Sequence, residues 1–262
     1  MTPTPKIGIT ERGDAGIDLS WADKLDTVDG AIVITKRITD ANFQQKLLEN
    51  KDKLILHADI TGNGNTVFEP NVPDYKVSFA ALHDIIAQGF PKERIVLRCD
   101  PIIPNTIGLY NVKNMFTDFL KEDFGITRVR ISVLDNYRHT KKRFSEHGIP
   151  VLYDGNFQAS TVIFEYIATI LDSLFKDHPE IHIECCAEPQ LQLASTKLKT
   201  KPIEWTGCCG FTDATLLGVT LPNNIGINPQ NRKGCLCLSV KKELLTNPKP
   251  CPHKCLYCYW KD

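Results

Sequence analysis

The sequence has no surplus of either charge, since Lys+Arg and Asp+Glu number 31 each among 262 residues. Chains that track nucleic acid usually carry a basic excess that neutralises phosphates, so such a partner is not indicated by charge, although a local basic groove stays open. Long apolar runs are missing as well. No stretch approaches the roughly 20 apolar residues of a membrane helix. The N-terminus MTPTPKIGIT has no charged region followed by an apolar one, so the expected location is the cytoplasm, with no membrane partner. Heptads, low-complexity tracts and solenoid repeats are absent, as are a P-loop, a G-x-S-x-G elbow and a helical H-x-x-x-H pair. Gly62-Asn-Gly-Asn65 lacks a following Lys-Ser/Thr and is a weak phosphate cradle. Cysteine is withheld from most of the chain: Cys99 is alone in the first 184 residues, and the other nine crowd into 185–262. Disulfides are rare in reducing cytosol, so this crowding argues for metal or redox chemistry. Cys99, inside a strand-like run, reads as a small buried hydrophobe.

What is present is a repeated alternation of short β-branched runs with longer stretches of helical period, the pattern of βα units around a mainly parallel sheet. Expected strands are Lys6 to Thr10, Ala31 to Thr35, Leu54 to Asp59, Arg94 to Cys99, Arg128 to Leu134 and Ile181 to Cys186. Several are apolar nearly throughout, as strands covered on both faces must be. Helices are expected over Asp40 to Asn50, Ser78 to Gln88, Val112 to Glu122 and Ser160 to Phe175, with Val77, Ala80, Ala81, Ile85 and Ile86 forming one apolar stripe. Six units predict an α/β fold, a partial (β/α)6 TIM-like barrel over 1–189. Residues 190–262 then form a Cys-rich extension that folds over the barrel mouth within the same compact unit. Functional groups of such barrels gather at the C-terminal strand ends. The expected exits supply Thr10, Glu11, Arg12 and Asp14; Lys36 and Arg37; Asp59, Thr61 and Glu69; Arg98 and Asp100; Ser132 and Asp135; and Cys186 and Glu188.

Two cysteine groups stand out. Cys251-Pro-His-Lys-Cys255-Leu-Tyr-Cys258 is a C-x3-C-x2-C loop whose three thiolates can wrap one compact centre. Structural zinc normally takes four closed ligands from two segments, whereas three cysteines on one loop leave a cubane iron open. A zinc knuckle completed by His253 or a distant cysteine is the blander alternative. The second group is drawn from Cys185 and Cys186, Cys208 and Cys209, and Cys235 and Cys237. A C-x-C element plus one member of each doublet gives four thiolates, enough for an auxiliary [4Fe-4S] cluster or zinc, and the favoured set is Cys186, Cys209, Cys235 and Cys237, with the choice between Cys208 and Cys209 open.

The tail loop, with Tyr257 just before its third cysteine, resembles the cluster motif of the radical S-adenosylmethionine superfamily, in which the motif follows the first strand instead of closing the chain. The chain also resembles a bacterial family of unknown function numbered 1848, whose members end in a radical-SAM-like cysteine cluster. The similar pieces are Glu69-Pro-Asn-Val-Pro73, Arg98-Cys-Asp-Pro-Ile102, Ile131-Ser-Val133 with Asp135 and Tyr137, Cys186-Ala-Glu188, Gly234-Cys-Leu-Cys237 and Cys251 to Tyr259. Ile9-Thr-Glu-Arg-Gly-Asp14 departs from the Arg-Thr-Asp expected there. The resemblance implies a catalytic [4Fe-4S] cluster on Cys251, Cys255 and Cys258. Its open iron would chelate S-adenosylmethionine, and one-electron reduction by flavodoxin or ferredoxin would release a 5′-deoxyadenosyl radical onto an unidentified substrate. Tyr257 would pack near the adenine, Glu69 would hold the ribose or methionyl amine, and Arg98 and Asp100 would bind the cofactor carboxylate or substrate. The alternatives are that Glu69 only shapes its loop and that Arg98 and Asp100 pair to tie the rim. Two rival readings of the whole chain remain. One is an electron-transfer iron–sulfur protein with closed clusters; the other is a zinc-stabilised nucleic-acid-binding module with Lys249, Lys254, Lys261 and Tyr259 as contacts.

Overall fold

The computed structural model describes residues 4–150, 152–228, 233–245 and 250–259. Its centre is one eight-stranded, all-parallel sheet curled into a half-barrel and flanked by helices, the architecture of a partial TIM-like barrel. Six strands match the expected ones: β1 Ile7–Ile9, β2 Gly30–Thr35, β3 Leu54–Asp59, β4 Ile95–Ile102, β5 Arg128–Val133 and β6 His182–Cys186. They lie side by side in chain order, as successive right-handed βα crossovers dictate. The remaining two come from the Cys-rich extension: β7 Ile203–Thr206 pairs outside β6, and β8 Lys241–Glu243 pairs outside β1. The extension is therefore woven into both edges of the sheet and is not a plain appendage. Four- and three-residue strands lack room to display a period, which is why the sequence does not betray them.

Seven α-helices are described: α1 Ala41–Glu49, α2 Tyr75–Ala87, α3 Thr106–Glu122, α4 Arg138–Glu146, α5 Thr161–Phe175, α6 Pro189–Leu198 and α7 Phe211–Leu216. Three start at side-chain caps, where Asp40, Asp74 and Asn105 accept hydrogen bonds from free backbone N–H groups of the first turn. The Asp74 cap starts α2 before Ser78 and fixes its rotation. The buried stripe is consequently Ser78, Phe79, Ala81, Leu82 and Ile85, while Val77 is exposed, a correction to the stripe read from the sequence.

Strand alternation explains both faces of the sheet. Ala31, Val33, Leu54, Leu56, Ile95, Leu97, Val129 and Ile131 pack outward against the helices in the main core. The intervening residues point inward, where Ile7, Ile9, Ile32, Ile55 and Val96 meet Cys208, Cys209, Cys235, Cys237, Leu238 and Val240 of the extension. The half-barrel is filled by its own C-terminal segment. Further along the same inner face the pattern turns polar, with His57 and Asp59 on β3, Arg98 on β4, Arg128, Arg130 and Ser132 on β5, and Glu184 and Cys186 on β6.

Candidate functional site

The polar inner rows form a closed ion network. Arg128 donates from Nε to Glu184 Oε1 at 2.8 Å and from a terminal nitrogen to Asp213 Oδ1 at 2.9 Å, and Arg130 Nε donates to Glu184 Oε2 at 2.9 Å. Two guanidinium groups face two carboxylates with side-chain exposures of 7% or less, so the buried charge balances. The network continues into the loop after β7. Arg130 donates to the carbonyl of Cys208 at 3.0 Å, and Asp213 accepts from Gly210 N at 2.8 Å. Burial, with the charges of Arg130, Arg98 and Arg128, pushes the pKa of His57 well below the usual imidazole value. These side chains hold the 207–213 segment in place. Arg128, Arg130, Glu184 and Asp213 were missed by sequence reasoning, although charges at period two inside an apolar strand, R-V-R-I-S-V, are a legible sign of a polar interior.

That segment carries Cys208 to two other thiols. The sulfur atoms of Cys186 at the end of β6, Cys208 after β7 and Cys237 before β8 all lie within 4.8 Å of one another, the only such group of three metal-binding side chains among the described residues. Of the expected Cys186, Cys209, Cys235 and Cys237, the group contains Cys186 and Cys237; it takes Cys208 from the doublet of Cys208 and Cys209, and Cys209 and Cys235 lie outside it. The reason is local. Arg130 fixes the carbonyl of Cys208 and Leu238 N donates to the carbonyl of Cys209 at 2.9 Å, so the backbone of the doublet is held from both sides. At Gly207 an added Cβ would stand 2.6 Å from the Leu236 carbonyl and 2.7 Å from the Cys237 backbone, so glycine permits the two cysteine loops to touch. Hydrogen bonds from the thiols of Cys186 and Cys208 favour thiolate at Cys237 against burial, with the Lys241 charge assisting. Arg98 places guanidinium nitrogens 3.7 and 3.9 Å from the Cys208 sulfur. A cavity of about 90 Å³ opens beside these groups, lined by Arg98, Asp100, Arg130, Ser132, Cys186 and Cys208.

Arg98 and Asp100 form the rim pair that was one of the two sequence alternatives. Arg98 Nε donates to Asp100 Oδ2 at 3.1 Å, and Ser132 donates to the other carboxylate oxygen. Against the upward push of burial, the Arg98 charge and the Ser132 hydrogen bond keep Asp100 below the usual carboxylate range.

The tail loop docks over the strand exits as well. Leu256 is buried among Phe68, Ile103, Leu134, Phe144 and Leu152. Around it, Leu256 N donates to the Phe68 carbonyl at 2.9 Å, Asn71 Nδ2 to the Pro252 carbonyl at 2.8 Å and Arg143 to the Cys258 carbonyl at 2.6 Å. His253 has Nδ1 3.2 Å from the Asn71 carbonyl and Nε2 3.0 Å from Asp14 Oδ2, so both ring nitrogens serve docking instead of turning toward the cysteines. Asp14, in the segment that departs from the resembling family's pattern, is thus a tail anchor; hydrogen bonds from His253, Thr35 and Lys36 N hold its pKa down despite burial. Below the loop, Lys36 Nζ lies 2.8 Å from Asp59 Oδ2 and 3.0 Å from Glu69 Oε1. Glu69 also accepts from Tyr257 OH and, at 2.8 Å, from Thr61. Both Glu69 oxygens are occupied, and the Tyr257 ring is pinned above Lys36 at 5.9 Å from Nζ to centroid. One lysine between two buried carboxylates leaves an excess negative charge, and burial raises Asp59 to a pKa of about 7 despite the Lys36 charge.

Cys251, Cys255 and Cys258 form no disulfide and do not make up a second group as compact as the first. Burial raises Cys251 to a pKa of about 11 and Cys255 higher still. Cysteine thiolates are the donors that iron–sulfur centres take, so this donor set is chemically suited to such a centre. Of the contacts expected for a nucleic-acid module, Lys249 and Lys261 lie outside the described residues. Tyr259 rests its ring 4.8 Å from that of Tyr137 and 4.7 Å from that of His139. Among the described residues no helix is long and apolar enough to cross a membrane.

Neither a curated protein nor a solved structure matches the chain significantly. A family model described as "Domain of unknown function (DUF1848)" matches residues 20–260, nearly the whole length, and so the half-barrel with its two cysteine groups belongs to that family.

Proposed function

We propose that this DUF1848 chain is a radical S-adenosylmethionine enzyme whose catalytic [4Fe-4S] cluster is held by Cys251, Cys255 and Cys258. The observation that carries the reading is the docking of a three-cysteine loop over the C-terminal strand ends, the place where parallel βα folds keep their chemistry. Cys251, Cys255 and Cys258 would hold the cluster, which with S-adenosylmethionine and one electron from a flavodoxin- or ferredoxin-class donor would supply reductive cleavage to methionine and a 5′-deoxyadenosyl radical for hydrogen-atom abstraction. The chain's own residues do the rest. Asp14, Asn71 and Arg143 fix the loop, and Glu69 and Tyr257 clamp its C-terminal half onto Lys36. Burial and the Glu69 charge keep the Cys255 thiol protonated against the Lys36 charge, so binding of iron there, which requires thiolate, would release a proton. Buried Asp59, with a pKa of about 7, can hold or release a proton near neutral pH beside that loop.

The test is 5′-deoxyadenosine release from S-adenosylmethionine by anaerobically reconstituted, reduced protein. Release that disappears in Cys255→Ala supports the enzyme. A filled cluster that releases none overturns it in favour of an electron-transfer protein, and zinc in place of iron at the tail overturns both.

A further inference from the structure

The group formed by Cys186, Cys208 and Cys237 has no part in the proposed tail chemistry, yet it is the most compact set of metal-binding atoms among the described residues. Tetrahedral zinc with Zn–S bonds of about 2.3 Å places its sulfurs about 3.8 Å apart. Sulfurs already within 4.8 Å need to close by no more than about 1 Å to reach that arrangement. A cubane requires wider spacing, so the geometry favours one ion.

Three distant stretches of chain supply the thiols, and each is fixed by something other than a metal. Cys186 ends a strand of the sheet, Cys208 has its carbonyl held by Arg130, and Cys237 sits against Gly207 where the two loops touch. A cradle held in this way does not have to be assembled by the ion.

The fourth ligand decides what such an ion can do. Cys209 and Cys235 are buried nearby but lie outside the group. Asp100 is engaged by Arg98 on one oxygen and by Ser132 on the other. Two of the three thiols, Cys186 and Cys208, line the cavity, and Arg98 lines it beside them. Three thiolates around a divalent ion leave one negative charge, and the Arg98 guanidinium, paired with Asp100, also reaches the Cys208 sulfur at 3.7 Å.

We propose that Cys186, Cys208 and Cys237 form a mononuclear site for a zinc-class divalent cation, with its fourth position open to the Arg98-lined cavity, where water or a small anion binds. The site is independent of the tail cluster and is best studied without it.

The experiment loads cobalt(II), a spectroscopic stand-in for zinc, into a Cys251→Ser/Cys255→Ser/Cys258→Ser variant whose folding is checked by circular dichroism. Expected are one cobalt per chain with intense sulfur-to-metal charge transfer and tetrahedral visible bands, and a shift of those bands on adding azide. Cys208→Ser in this background weakens cobalt binding by at least about tenfold, while Cys209→Ser and Cys235→Ser leave it unchanged. Arg98→Gln keeps the cobalt and lowers azide affinity by about tenfold. Equal loss of cobalt in Cys209→Ser or Cys235→Ser overturns the ligand set. Bands that ignore azide overturn the open position. Failure of the folded parent variant to bind cobalt overturns the site altogether, and none of these results depends on whether the tail cleaves S-adenosylmethionine.

Discussion

Replacing Asp213 by Asn removes one negative charge from the barrel interior without changing the volume of the side chain. In the native protein Arg128 and Arg130 are balanced by Glu184 and Asp213, all four nearly inaccessible to water. Asp213→Asn leaves two guanidinium groups against one carboxylate, and an uncompensated buried charge typically costs about 3–5 kcal/mol. The Asn oxygen still accepts from Arg128 or Gly210, so the lower end, about 3 kcal/mol, is expected. For a chain of this size that lowers the melting temperature by roughly 6–12 °C. Equilibrium urea unfolding of metal-free protein measures the loss. The paired variant Arg128→Met/Asp213→Asn restores neutrality and is expected to recover about 2 kcal/mol of it. The same single change frees the loop that carries Cys208, so cobalt binding at the three-thiol site should weaken in parallel. A loss below about 1 kcal/mol in Asp213→Asn, or no recovery in the pair, would refute the view that this network is a balanced set holding the loop.

Three further outcomes are expected. Gly207→Ala forces a Cβ to within 2.6 Å of the Leu236 carbonyl, so the two cysteine loops separate; metal titration should reveal a large loss of affinity at Cys208 and Cys237 with the secondary structure retained. Asp59, with its folded pKa raised to about 7 from an ordinary 3.8, binds more protons in the folded than in the unfolded chain between these values. Stability therefore falls as pH rises through that window, by up to about 4 kcal/mol. Asp59→Asn should flatten the curve, and an unchanged pH profile from urea unfolding would show that Asp59 does not titrate there. Finally, Tyr257→Phe removes the hydroxyl that donates to Glu69, a buried hydrogen bond to a charged group worth about 1.5–3 kcal/mol, so limited proteolysis within 250–259 should speed up at least tenfold.

Much of the molecule follows from sequence alone. Apolar runs such as Leu54–Asp59 and the Asp40, Asp74 and Asn105 caps are local properties, written in residue type and spacing, and they determine six parallel strands and the helices between them. The clustering of nine cysteines after residue 184 likewise announces soft-metal chemistry, and the charged strand exits announce a polar mouth. Tertiary structure alone decides which thiols meet. Adjacent residues such as Cys208 and Cys209 are equivalent in composition. Which one joins Cys186 and Cys237 depends on Arg130, fixed from β5, and on the Gly207 contact with a loop some thirty residues further along the chain. Tertiary structure also turned His253 toward Asp14, gave one oxygen of Glu69 to Tyr257 of the tail and made edge strands of Ile203–Thr206 and Lys241–Glu243. The physical reason is common to all of these. Local periodicity reports which face of an element is buried, whereas ligand sets and ion networks arise from side chains whose separation in the chain carries no information about their separation in space.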